Sequence, residues 1–253
     1  MKWKKLGLVF CPTGGVEWMQ SHATNPVVEF LEGDLFRVYC SPRDSKNRGQ
    51  IASLVMKLSK GKASVVEGSL RLVLTHGKHS RFDDNGVTVT GLVYQDTQRL
   101  LYYLGWNLSV AIPFRNAIGV AVSEQDSQEF VRVSEGPLID RNNVDPISIS
   151  YPFLLWDEGR YRIWYGSCLE WDGPKVSDYE FSLKYAESND GITWTRTGEV
   201  TLGCNSPHED AIARPHVIQE NNIFKMWYSR KKGPFYRMGY AESVNGKVWA
   251  RMD

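Results

Sequence analysis

Four tyrosines, Tyr39, Tyr103, Tyr165 and Tyr228, stand 64, 62 and 63 residues apart, and each closes a similar stretch of sequence. The stretches are "TNPVVEFLEGDLFRVYCS", "VTVTGLVYQDTQRLLYYLGW", "ISYPFLLWDEGRYRIWYGS" and "IARPHVIQENNIFKMWYSR". Each reads as an alternating run, a short polar turn and a second alternating run, the pattern of an antiparallel hairpin. Pro26, Pro152 and Pro215 lie thirteen residues before their tyrosines, and Thr90 fills that slot in the second copy. A β-type unit at so regular a period is the signature of a propeller.

A second motif falls between the hairpins. "IGVAVSEQDSQEFVRV", "LKYAESNDGITWTRT" and "MGYAESVNGKVWARM" align Ala121, Ala186 and Ala241, then Ser123, Ser188 and Ser243. They end on Phe130-Val-Arg132, Trp194-Thr-Arg196 and Trp249-Ala-Arg251. Asn-Asp-Gly and Val-Asn-Gly supply the residues that tolerate positive φ in hairpin turns. Each unit is therefore two hairpins, or one four-stranded blade. The expected fold is an all-β propeller of the five-bladed type, forming a single domain over residues 1–253. Its units fall near 24–86, 87–149, 150–212 and 213–253. A fifth tyrosine belongs near position 291, beyond Asp253. The last blade is thus expected to be incomplete, with an N-terminal strand over 3–11 packing in it. An open blade edge invites pairing with another copy of the chain.

Composition narrows the partners. Net charge is +1, so no global field favours nucleic acid or an anionic membrane. No span approaches bilayer length. Cys11, Cys40, Cys168 and Cys204 are scattered without a CxxC pair, which argues against structural zinc and fits reduced thiols in a cytoplasmic protein. No acidic loop has calcium-ligand spacing, and no cofactor or metal is expected.

In a propeller the segments leading into the innermost strands deliver side chains to a central funnel. Here they are "VEWMQSHATNP", "HSRFDDNGVTV", "DRNNVDPISISYP" and "CNSPHEDAIARP". Acids precede three of the aligned slots: Asp83 and Asp84, Asp145, and Glu209 with Asp210. His22, His79, Arg81, Arg141, His208, Arg214 and His216 accompany them. Acids converging from separate blades suit glycoside chemistry, in which one carboxyl is protonated and another ionised. Arginine in the same funnel suits a phosphate or a sugar carboxylate. Asp84 in "FDDNG" and Asp145 in "VDP" also read as turn formers, and Glu209 with Arg214 also reads as an inter-blade ion pair. His216, inside its strand, reads as structural. The recurrent Trp and Tyr residues are expected to pack between blades.

The hairpin repeats, the "SNDGITW" turn and the "AIARPHV…KMWYSR" stretch resemble the five-bladed propellers of the arabinanase, levansucrase and invertase superfamily. That group spans glycoside hydrolase families 43, 32 and 68 and the mannoside phosphorylases of family 130. The resemblance implies a carbohydrate or sugar-phosphate ligand. The family-43 pattern implies a base aspartate just before the first-blade proline, where this chain has Asn25, and an amide cannot act as a base. On this resemblance Asp84 and Glu209 are the expected acid/base pair. Asp83, Asp145, Arg81, Arg214, His208, Asn25 and His22 are expected to bind substrate. Three functions follow: a glycoside hydrolase-like enzyme, a non-catalytic propeller binding a glycan or a protein, and a glycoside phosphorylase.

Overall fold

The computed structural model describes residues 7–124, 127–173, 175, 178–204 and 209–252. Within them the chain has no helix and forms four successive antiparallel units. The first holds β1 (Ser21–Glu32), β2 (Leu35–Arg43), β3 (Ile51–Ser59), β4 (Lys62–Val65) and β5 (Arg71–Leu74). The second holds β6 (Gly86–Gln95), β7 (Gln98–Leu108), β8 (Phe114–Glu124) and β9 (Val131–Arg132). The third holds β10 (Ile149–Asp157), β11 (Arg160–Trp171), β12 (Tyr179–Ser188) and β13 (Thr195–Leu202). The fourth holds β14 (Ala211–Glu220), β15 (Ile223–Lys232), β16 (Phe235–Ser243) and β17 (Ala250–Arg251). Strand order follows chain order in the last three, and one parallel bridge, Phe181 to Ala211, links the third sheet to the fourth. In the first, β4 and β5 share β3 as partner.

The first strands of the sheets pack side by side, β1 on β6, β6 on β10 and β10 on β14. They line the axis, as blades of a propeller require. Three apolar clusters fill the spaces between sheets. Ile51, Val87, Leu101 and Tyr103 lie between the first and second, Tyr102, Ile118, Ile149 and Tyr165 between the second and third, and Trp164, Ile212, Met226 and Tyr228 between the third and fourth. Each cluster holds three or four buried aromatic rings among aliphatic side chains. The second and third sheets are each tied by a hydrogen bond to the outer turn of the next one. The Tyr102 hydroxyl donates to the Gly191 carbonyl (2.8 Å) and the Trp164 indole N–H to the Gly246 carbonyl (2.7 Å). The turns themselves are held by Asp190 and Asn245, which accept backbone N–H groups two and three residues on. Bonds from the Thr193 and Ile192 amides pull the Asp190 pKa down to about 2.

Gly119 and Gly239 sit opposite Tyr103 and Tyr228 because each ring lies flat over the third strand. A Cβ at either glycine would fall 2.3 Å from the ring.

One alignment shifts by a residue. Gly91, Phe153 and His216 pair with Tyr102, Trp164 and Trp227, but Val27 pairs with Tyr39 itself. The first turn lies one residue later after its proline than the others, a shift of two in pairing, and the irregularity between Phe30 and Glu32 takes one back, leaving a slip of one. One residue of slip turns a side chain to the other face of a sheet. Tyr39 therefore takes the place of Trp164, and Cys40 that of Tyr165.

The outward faces of the end sheets are apolar. Val28 and Phe30 are 60% and 62% exposed on the first, and Met238 is 60% exposed on the fourth, near the Trp227–Tyr240 pair. No contact comparable to those between neighbouring first strands joins β14 to β1 among the described residues. Of the segment 3–11 expected as a last-blade strand, residues 7–11 carry no strand and 3–6 lie outside the described residues.

Candidate functional site at the lead-in face

The loops entering the first strands, together with the hairpins joining second and third strands, form one end of the molecule. Three of the four loops carry an acid at nearly the same place, and the structure gives all three the same surroundings. Asp83 is 1% exposed and meets Arg132 of β9, with Nε at 3.0 Å and a second nitrogen at 2.8 Å. Asp145 is fully buried. Its oxygens accept from the hydroxyls of Tyr165 (2.9 Å) and Ser167 (2.7 Å), Lys184 Nζ (3.1 Å) and Arg196 of β13 (2.8 Å). Both oxygens of Glu209 face the Arg251 guanidinium of β17, at 2.8 and 2.5 Å.

Each acid thus fastens the start of its sheet to an arginine of the last strand. Tyr103, Tyr165 and Tyr228 lie alongside, with Arg132 and Arg251 stacked on the first and last of these rings. Burial alone would raise the Asp145 pKa, but the Ser167 and Lys184 contacts outweigh it and hold the carboxyl below the usual range. Forked arginine–carboxylate pairs are strong and directional. The first sheet has Cys40 in the tyrosine slot and no such group. It is tied to the second sheet by Glu29, which accepts from Arg37 (2.8 Å), Tyr39 (3.0 Å), Arg99 (3.1 Å) and Tyr94.

The ion pair expected between Glu209 and Arg214 is therefore made within one sheet, with Arg251 instead. Asp84 and Glu209, expected as one acid/base pair, lie in separate clusters. Asp84 lines a cavity of about 300 Å³ with Arg48, His76, Gly77, His79 and Asn85. One of its oxygens accepts the Ser80 amide (2.9 Å), and the other is buried with no hydrogen-bond partner. Of the residues expected to bind substrate, Arg81 pairs with Glu135 (2.9 Å) and His22 is exposed beside the Ser21 hydroxyl (2.7 Å). Arg141 lies 3.9 Å from Asp140, and His208 falls outside the described residues. A larger cavity of about 490 Å³ lies at the opposite end between the third and fourth sheets, where Arg162 pairs with Asp157 (2.7 Å) and Lys247 with Glu187 (2.8 Å).

One slot does not repeat. Every first strand breaks register at the aligned proline position, between Thr24 and Val27, Val89 and Gly91, Ser150 and Phe153, and Ala213 and His216. Such bulges re-aim a side chain. The residue just before the slot differs in each sheet: Asn25, Val89, Tyr151 and Arg214. Asn25 and Arg214 hold φ at 58° and 54°, a conformation that a residue before proline ordinarily avoids. Arg214 is exposed, and partial burial of its side chain lowers its pKa. Its guanidinium stacks on Tyr151 (5.5 Å) and makes no hydrogen bond or ion pair among the described residues. His216, expected to be structural, is exposed, with its ring against Phe153 (4.7 Å). The same end carries Trp171, Tyr179 and Phe181 in edge contact, with Lys231 Nζ 4.6 Å above Tyr179. Among the described residues no group of three or more His, Cys, Asp or Glu is placed to hold a metal ion.

Comparison with known proteins fits this architecture. No protein-family model matches the chain. The uncharacterized protein Rv1502 of Mycobacterium tuberculosis is 38% identical over 252 residues, covering 100% of this chain and 83% of that one. Among solved structures, a BT0996 RGII complex superposes with a TM-score of 0.72 at 15% identity, over 98% of this chain and 76% of that one. Zg3597, a family 117 glycoside hydrolase of Zobellia galactanivorans, superposes with a TM-score of 0.69 at 10% identity, over 100% and 74%. Structures of this likeness include glycoside hydrolases of families 43 and 32, and the fold they share is the five-bladed β-propeller. The chain belongs to the family of Mycobacterium tuberculosis Rv1502, built on the propeller fold of these glycoside hydrolases.

Proposed function

We propose that this protein recognises a carbohydrate at the lead-in mouth between its third and fourth sheets, with Tyr151 as platform and Arg214 as polar anchor. The observation that carries the reading is the bulge holding Arg214 at φ 54° with no partner but the Tyr151 ring. Backbone strain of this kind costs on the order of 1–3 kcal/mol and persists where a function retains it. An aromatic face beside a planar hydrogen-bond fork suits a sugar, whose C–H face is apolar and whose hydroxyls accept and donate. Sugar complexes among the structures of like fold, including a family 32 β-fructofuranosidase with sucrose, add support.

On this reading Asp83, Asp145 and Glu209 hold their sheets together. Catalysis, where present, centres on Asp84, the lead-in acid whose buried oxygen is unsatisfied, with His76 and His79 beside it. That hydrolase reading is the second choice, since a glycosidase needs a second carboxyl with a free face, and the neighbouring Asp83 is closed on Arg132. The test is a glycan panel read by thermal shift, joined to turnover of aryl glycosides and sucrose. The binding reading expects sugars to raise the melting temperature of wild type but not of Tyr151→Ala. Loss of turnover in Asp84→Asn with the shift intact would move the assignment to the hydrolase. A panel in which no sugar shifts the protein refutes both.

A further inference from the structure

Two cations stand at this mouth without a hydrogen-bonded carboxylate among the described residues. Arg214 is the first. The second is Lys231, whose side chain is buried (8% exposed residue) with Nζ 4.6 Å above the Tyr179 ring. Asp210, whose charge Lys231 feels, is already taken by Lys232 Nζ (2.8 Å) and the Gly233 amide (2.6 Å). Arg43 and Arg115 also lack an acid at this face, but they are hydrogen-bonded to Asn47, and to Ser109 and the Ile147 carbonyl. Arg132, Arg196 and Arg251 all close on an acid, and Lys184, buried like Lys231, bonds Asp145. Both cations keep N–H donors that no carboxylate among the described residues takes up, and an anion from outside can use them.

The two cations lie on paired strands of one sheet. Lys231 pairs across the sheet with Ala211, and Arg214 follows three residues along β14, a reach of about 10 Å at the usual rise per residue. The rings beneath them, Tyr151 and Tyr179, come from β10 and β12, both of which pack against β14. Tyr236, 62% exposed, borders Tyr179 on the outer side.

We infer that the bound saccharide is anionic, its carboxylate or phosphate held by Arg214 and Lys231 over the Tyr151–Tyr179 rings. This rests on the carbohydrate reading above and specifies its ligand. An arginine fork matches a carboxylate or phosphate in two parallel hydrogen bonds, and a lysine adds a point charge.

The experiment measures affinity by calorimetry for matched probes. These are gluco-, galacto- and manno-configured uronates, their methyl esters, the corresponding 6-phosphates and the neutral parent sugars. Expected is at least tenfold tighter binding of a charged probe than of its neutral counterpart. The uronate and phosphate arms tell which anion is preferred. Arg214→Gln and Lys231→Met each lose most of that preference, while Arg214→Lys retains part of it. Circular dichroism confirms that each variant is folded, and Lys231→Met serves alone should Arg214→Gln misfold. Neutral and charged probes bound equally well would overturn the anionic assignment and leave the carbohydrate reading standing. Binding of no probe at all would overturn both.

Discussion

Asp145→Asn tests whether the lead-in acids are fasteners. The substitution keeps the side-chain volume but removes a fully buried charge that faces four donors within 3.1 Å, two of them cations. It also turns one acceptor into a donor pointing at donors. Removing one member of a buried ion pair costs about 3–5 kcal/mol. In a domain of this size each kcal/mol moves the melting temperature by about 2–4 °C, so a fall of about 6–20 °C is expected. The assay is thermal and urea unfolding of both proteins, followed by tryptophan fluorescence. Acid should expose the same group. The folded-state pKa of Asp145 is depressed, so its stabilisation is complete above the unfolded value of about 3.9 and is lost as pH falls through the folded value. Wild type should lose its advantage over Asp145→Asn as the pH drops below about 4. A variant that melts within about 1 °C of wild type while losing glycoside turnover would refute the reasoning.

Other outcomes follow from the same geometry. Arg214→Gly should raise the melting temperature by about 2–4 °C, through relief of roughly 1 kcal/mol of backbone strain, while abolishing saccharide binding. Trp164→Ala should cost about 3–5 kcal/mol in urea unfolding, since the ring is fully buried between the third and fourth sheets and anchors the Gly246 carbonyl. Thiol labelling of the native protein at pH 8 should proceed rapidly at one site only, the exposed Cys11. Burial pushes the thiol pKa up to about 11 at Cys40 and about 12 at Cys168 and Cys204, and the thiolate is the reactive form.

The array was legible because a β-unit that cannot bury its own faces must repeat, and Tyr103, Tyr165 and Tyr228 recur where neighbouring sheets meet. The slip at Tyr39 was hidden, since moving the turn by one residue lengthens the first strand, shortens the second and leaves the spacing of proline and tyrosine intact. The pairing of the acids was hidden for a related reason. Asp83, Asp145 and Glu209 recur with the blades, as do Arg132, Arg196 and Arg251. Residues that return together in three of the four units belong to what those units share, which is their own closure. Side chains that differ at a shared position, Asn25, Val89, Tyr151 and Arg214, are where one blade does what the others do not. The absence of a partner for Arg214 had no trace in the sequence, because it depends on how far each neighbouring acid is already committed.

A crystal structure with the tightest-binding member of the glycan panel tests the central claim most directly. The account predicts a sugar ring against Tyr151 with an oxygen in bidentate reach of Arg214, while Asp145 and Glu209 stay turned to Arg196 and Arg251. A sugar lodged elsewhere, or either carboxylate released from its arginine to face the ligand, would contradict it.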